Sequence, residues 1–314
     1  SKVKGLTAFC HVLTESNTTH KSVPMLMSSV SAHDFNSIYQ QKSIITTFKE
    51  AGYQTAFFSN QRYNHSFIDF FGKEADTCNF IKENVKHANY NPSDDELLEL
   101  VATELAKNAP KQFIVLHTYG SHFNYRERYP SENAFFLPDF PVDAEVKYKD
   151  NLVNAYDNSI RYTDDFLARL IGMLQEQNTD AAMLYTSDHG EDIFDDSRRL
   201  FLHASPVPSY YQIHVPFLLW MSDSYRDHYP SLWENTISNK QKNISSSASF
   251  FHTMLELGGV TTPYRNDSLS VVNVLFTEKP RVYLNDHNEA RSLNEIGMGE
   301  EDFEMLQQKG ILYR

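Results

Sequence analysis

Leu184-Tyr185-Thr186-Ser187-Asp188-His189-Gly190-Glu191 is the stretch on which the fold turns. The apolar run 181–185 reads as a buried strand. It stops at a polar turn that sets a carboxylate beside an imidazole. In an open α/β sheet, chemistry gathers where strands end at their carboxyl side, and Asp188 and His189 occupy such an end. A carboxylate oxygen and a neutral imidazole nitrogen together are good ligands for Zn²⁺. The same residues also suit a plain turn, with Gly190 at the bend and Asp188 capping the next segment.

Working outward, other strands end the same way. Residues 54–58 read as a strand that runs into Ser59-Asn60-Gln61-Arg62-Tyr63-Asn64-His65. Residues 112–116 run into His117-Thr118-Tyr119-Gly120-Ser121-His122. A further strand is expected over 213–221, with Pro216 near its start, and a short one over 282–284. Helices are expected over 43–51, closed by Gly52, and over 94–107, where Leu97, Leu98, Val101 and Leu105 have helical spacing. A helix over 245–257 stops at Gly258-Gly259. The longest spans 151–177, with Leu152, Tyr156, Ile160, Leu167, Leu170, Ile171 and Leu174 as its packing stripe. Strand and helix alternate, which argues for an α/β fold: a largely parallel central sheet with helices on both faces. No repeat or firm boundary interrupts it, so 1–314 reads as one domain.

Near the start, Thr14-Glu15-Ser16-Asn17-Thr18-Thr19-His20 precedes Ser22-Val23-Pro24-Met25-Leu26-Met27 and marks a helix start. A hydroxyl there faces free backbone N–H groups and the positive dipole end, a good place to carry a phosphorylated nucleophile. On this segment alone an ordinary N-cap is the plainer reading. Asn17-Thr18-Thr19 is also a glycosylation sequon. The loop 89–93 is polar, and 125–141 forms a long excursion of the kind that often binds. His203 lies too far beyond His189 for one helix face, so a loop would have to fold it back over the site.

Composition narrows the partners. The 28 basic and 41 acidic residues give a net charge of −13, which argues against nucleic acid. An apolar fraction of 41% supports a substantial core. Cys10 and Cys78 match no metal-ligand spacing, and whether they form a disulfide stays open. No stretch approaches the length of a membrane span and no signal peptide opens the chain, as suits an excised soluble domain. Thr19, His65, His122, Asp188, His189 and His203 all follow strand ends or open a helix. A hydroxyl, a carboxylate and several imidazoles are the parts of a metal-assisted group transfer.

These residues carry a resemblance. Thr19-His20-Lys21-Ser22-Val23-Pro24, Phe58-Ser59-Asn60-Gln61, the 117–122 turn with Arg128-Tyr129-Pro130, Ala155-Tyr156-Asp157-Asn158-Ser159-Ile160 with Tyr162-Thr163-Asp164, Ser187-Asp188-His189-Gly190-Glu191, and Leu202-His203 occur in order over most of the chain. In this the chain resembles the catalytic domain of bacterial phosphoethanolamine transferases. These modify lipid A or lipopolysaccharide core and belong to the alkaline phosphatase/sulfatase superfamily. The resemblance implies Thr19 as nucleophile, with Thr19, Asp188 and His189 on a catalytic zinc. It implies His122 and His203 on the phosphoethanolamine group or on a second zinc. His65 falls where many relatives have a substrate-side lysine.

Two departures stand out. The family's first metal ligand is a Glu on a strand upstream of the nucleophile; Glu15 lies in the wrong place to replace it. The family's disulfide beside the nucleophile is absent, since Glu15 and Met25 occupy those positions. The implied reaction is a two-step transfer. Thr19 attacks the phosphorus of phosphatidylethanolamine and expels diacylglycerol. The lipid A or lipopolysaccharide acceptor then takes the group from phosphothreonine. An amino-terminal membrane segment in the parent protein and a periplasmic position are implied as well. The rivals are a sulfatase, for which Ser22-Val23-Pro24-Met25-Leu26 has Leu where Arg belongs, a phosphoglycerol transferase of the same superfamily, and a non-catalytic domain that lost its metal.

Overall fold

The structure is a computed structural model that describes residues 3–84 and 91–313. Asn89 and Tyr90 of the polar loop lie outside the described residues. In chain order the first elements are β1 (Leu6–Ala8), β2 (His11–Leu13), α1 (Thr19–Leu26), α2 (Ile44–Glu50), β3 (Gln54–Ser59), α3 (Phe67–Gly72), β4 (Thr77–Phe80), α4 (Glu96–Leu105), β5 (Gln112–His117) and α5 (Lys149–Glu176). Then come β6 (Ala182–Thr186), β7 (Asp192–Ile193), β8 (Phe201–Leu202), α6 (Tyr210–Ile213), β9 (Phe217–Met221), α7 (Asp223–His228), α8 (Pro230–Asn239), β10 (Asn243–Ser245), α9 (Ser246–Leu257), β11 (Val282–Leu284), β12 (Ala290–Ser292) and α10 (Glu300–Gln308). Among the described residues, no helix is long and apolar enough to cross a membrane. Both cysteines are free thiols.

The chain forms two compact units. One comprises Ser1–Ala51, Gln177–Glu191 and His203–Arg314; the other comprises Gly52–Glu176 and Asp192–Leu202.

In the first unit β9 lies between β1 and β6, antiparallel to both. Its sequence, Phe217-Leu218-Leu219-Trp220-Met221, is apolar without alternation, the mark of a strand covered on both faces. Phe217, Leu219, Trp220 and Met221 are accordingly buried, and Phe9, Val12, Ile244, Val271 and Val272 share one core with Phe217, Leu219 and Met221. β2 and β10 pair in parallel. The expected strand over 213–221 is shorter than foreseen. Pro216 has no N–H for a ladder, and residues ahead of it coil into α6, whose N-cap Ser209 accepts from the Gln212 N–H through its Oγ.

The second unit holds a parallel sheet in the order β4–β3–β5. β3 is central and buried from Thr55 to Ser59. α5 confirms the longest helix but corrects its stripe. Leu152, Leu167, Leu170 and Ile171 are buried, whereas Ile160 is 46% exposed. Midway, the buried residues are Asn158, Ser159 and Tyr162. This stretch of α5 faces the 125–141 excursion and must serve its backbone. Asn158 Oδ1 accepts from the N–H groups of Phe135 and Phe136, and its Nδ2 donates to Phe136 O. Hydrogen-bonding need displaces apolar periodicity there.

Candidate active site

The candidate site lies in the first unit. After β2 the chain turns through Thr14, Glu15, Ser16 and Asn17, all polar and all buried. Thr18 is the N-cap of α1 and makes no side-chain cap, so Thr19 opens the helix. The ordinary N-cap reading therefore does not describe Thr19. Its Oγ1 lies 3.1 Å from His189 Nε2. The sequon is closed: Asn17 is 2% exposed, with its side-chain oxygen and nitrogen both bonded. Ser22, the hydroxyl a sulfatase reading needs, is fully buried and donates to Ser16 O at 2.8 Å.

The 187–190 turn comes after β6. Ser187 Oγ donates to His189 O, and the Gly190 N–H donates to Gln212 O at 2.8 Å. Only glycine fits at 190, because a Cβ there would stand 2.0 Å from Tyr211 O. His189 is buried. Its Nδ1 lies 3.0 Å from Gly190 O, and its Nε2 lies 3.1 Å from Thr19 Oγ1 and 3.4 Å from Asp188 Oδ2. A neutral imidazole has one N–H. Donation from Nδ1 to the Gly190 carbonyl turns a bare lone pair toward the carboxylate of Asp188. Thr19 Oγ1, within hydrogen-bond distance, can donate its proton to that lone pair, and a metal ion could take the same place.

Glu191 and His203 complete the cluster. β7 and β8 pair antiparallel with Asp192 opposite Leu202, so the residues flanking that hairpin, Glu191 and His203, emerge side by side. His203 Nδ1 lies 2.9 Å from Glu191 Oε1, and the His189 and His203 rings are 4.0 Å apart. Burial opposes charging His203. The Glu191 hydrogen bond and the charges of Glu191 and Asp188 outweigh burial and raise its pKa above the ordinary value. One ligand atom each from His189, Glu191 and His203 lies within 4.8 Å of the others. Zinc with bonds of about 2.0–2.1 Å in tetrahedral geometry holds neighbouring ligand atoms about 3.3 Å apart. The 3.1 and 3.4 Å separations around His189 Nε2 match that spacing. The donor set of imidazole, carboxylate and hydroxyl fits the same ion. Glu15 is not among these donors. Its buried carboxylate accepts from Ala32 N and Ser245 Oγ, and burial pushes its pKa up despite those bonds.

The second unit carries the other candidates. His65 is exposed, at φ 59°, in a turn whose Asn64 and His65 N–H groups donate to Asp69 Oδ2. His122 is exposed, its Nδ1 lying 2.6 Å from Phe123 O and its ring against Tyr119. Asp94 ties two strand ends together: it accepts from Asn60 Nδ2 after β3 and from the Tyr119 and Gly120 N–H groups after β5. Sequence reasoning assigned nothing to Asp94 or Glu191. For Glu191 a signal existed, since residues two apart on an extended chain share a face with His189.

A Sulfatase family model matches residues 1–260. Phosphoethanolamine transferase EptC of Escherichia coli K12 is 25% identical over 287 residues, 88% of this chain and 48% of that protein. The Kdo(2)-lipid A phosphoethanolamine 7''-transferase of the same strain is 38% identical over 142 residues, 44% of this chain and 24% of that protein. The chain thus spans about half the length of the first relative. The C-terminal periplasmic domain of E. coli EptC, crystallised in complex with Zn, superimposes with a TM-score of 0.84 at 24% identity, covering 95% of this chain and 85% of that one. The mixed α/β architecture with parallel sheets is thereby of the alkaline phosphatase/sulfatase-like kind.

Proposed function

We propose, because the chain belongs to the Sulfatase family, that it carries the group-transfer site of a zinc-dependent phosphoethanolamine transferase. The observation that carries this reading is Thr19 Oγ1 standing 3.1 Å from His189 Nε2 at the first residue of α1. The names of the relatives support the group transferred and a lipid A acceptor. The zinc complex of the EptC domain supports the metal, and that domain's periplasmic setting supports the periplasmic face of the inner membrane as the place of action.

Asp188, His189 and Thr19 would hold the ion, with Glu191 and His203 beside them. Bound there, zinc would lower the pKa of the hydroxyl and offset charge on a phosphoryl oxygen. The chain's own residues do the rest. Thr19 attacks the phosphorus of phosphatidylethanolamine, the bond to the glycerol oxygen breaks, and diacylglycerol leaves with a proton. The N-terminus of α1, where Thr19 begins the helix, would present backbone N–H groups to the phosphoryl oxygens. An oxygen of the lipid A or lipopolysaccharide acceptor then attacks phosphothreonine, and Thr19 recovers its proton. His122 and His65 are assigned to the substrate side, His122 toward the phosphoethanolamine group. Membrane association of the whole protein is part of the proposal, since donor and acceptor are both lipids. Burial of Ser22 weighs against sulfatase chemistry.

The test uses the full-length protein with zinc and phosphatidylethanolamine, and reads diacylglycerol release. Release from wild type that Thr19→Ala reduces by about three orders of magnitude or more is expected, as when a nucleophile is deleted. Release that survives the substitution would overturn the assignment.

A further inference from the structure

We infer that Gln212 and Asn17 are a positioning pair that holds three segments of the site in register: their side chains tie the Thr19 turn to the His203 loop, and the Gln212 main-chain oxygen ties in the Asp188–Gly190 turn. It deepens the transferase reading and rests on that reading for its chemical purpose. Gln212 is fully buried and Asn17 nearly so. The main-chain oxygen of Gln212 accepts the Gly190 N–H at 2.8 Å. Its Oε1 accepts from Asn17 Nδ2 at 2.5 Å, and its Nε2 donates to Ser205 Oγ at 2.9 Å. Asn17, two residues before the nucleophile, reaches the same places. Its Nδ2 also donates to Ser205 O at 2.9 Å, its carbonyl accepts the Ala204 N–H at 3.2 Å, and its Oδ1 accepts from Tyr283 Oη at 2.6 Å.

The pattern differs from ordinary satisfaction of a buried amide. A buried amide is costly unless bonded, and an apolar side chain would fill the space more cheaply. The partners of this pair belong to segments that present Thr19, His189 and His203, with Tyr283 as an anchor behind them. Ala204, the residue after His203, adopts φ 63°, a conformation that non-glycine residues hold only when surrounding bonds require it. Its N–H bond to Asn17 supplies such a bond. Asn239 offers the contrast within the same unit. It is equally buried, but its Nδ2 donates to the carbonyls of Val271 and Asn273, outside those three segments.

The experiment compares Gln212→Ala and Asn17→Ala with Asn239→Ala as the control, all in the metal-free chain. Peptide-level hydrogen exchange should rise about tenfold or more over 16–20 and 203–206 in the first two variants, with β9 unchanged. The control should leave both site segments as in wild type. Zinc affinity by chelator competition should fall about 10- to 100-fold in Gln212→Ala and Asn17→Ala but not in the control. The visible absorption of cobalt(II) bound in place of zinc should change in the same two variants. Wild-type exchange over those segments, or exchange raised equally by all three substitutions, would overturn the inference. So would wild-type zinc affinity in a variant whose segments have opened. If wild type takes up no zinc, the transferase reading fails, and the exchange comparison alone decides whether the pair holds the segments together.

Discussion

Replacing Glu191 with Gln keeps the shape of the side chain and removes one charge. The Glu191 side chain is 6% exposed and that of His203 20%, and the two are 2.9 Å apart. A hydrogen bond between charged groups contributes about 1.5–3 kcal/mol and a neutral one about 1 kcal/mol. The variant should therefore lose about 0.5–2 kcal/mol while His203 is protonated. Glu191 is part of what raises His203 above its ordinary 6.5. A base with a raised folded pKa contributes stability that is fully present below the unfolded value and is lost as pH rises through the folded one. The metal-free Glu191→Gln chain should thus be destabilised more at about pH 6 than at about pH 9. Urea unfolding with a chelator present, at both pH values, reads the difference directly. With the chelator removed, zinc affinity should fall about 10- to 100-fold, whether Glu191 touches the ion or orients His203. An equal loss of stability at both pH values, together with unchanged zinc affinity, would refute the reasoning.

Gly190→Ala should cost about 1–3 kcal/mol, since its Cβ would meet backbone Tyr211 O at 2.0 Å and the turn must shift; a thermal midpoint equal to wild type would count against that geometry. His252 is buried, and burial pushes its pKa from 6.5 to about 4, with Asp267 opposing and Arg265 adding to the fall. Its Nδ1 accepts the Asn266 N–H, which only the unprotonated nitrogen can do. The unfolded chain therefore binds the extra proton between about pH 6.5 and 4, and stability falls on acidification by about 3 kcal/mol across that window. His252→Gln should flatten that limb of the stability curve by one proton, and an unchanged slope would contradict the account.

The parts of the site that could be read from sequence are those whose signal is local. Asp188-His189-Gly190 comes after an apolar run and Thr19 opens one, so strand end and helix start were both legible. The alternation of strand and helix gave the α/β class, but not the antiparallel seat of β9 between β1 and β6. That pairing is set by contacts far apart in sequence, such as Leu6 with Trp220. The loop expected to return His203 is a short hairpin, and only its register showed that Glu191 returns with it. Asn17 looked like a sequon because local pattern carries no burial. Gln212 gave no signal, since a neutral amide beside an expected strand is indistinguishable from a solvated one. The stripe of α5 failed at Ile160 for a related reason: its middle turn bonds a loop backbone that periodicity does not record.

The central claim is that Thr19 carries the transferred group. Full-length protein loaded with zinc and incubated with phosphatidylethanolamine without acceptor should gain one phosphoethanolamine by intact mass, and peptide mapping should place it on Thr19. The adduct should disappear on adding lipid A. An adduct mapped to another residue, or one that persists in Thr19→Ala, would contradict the account.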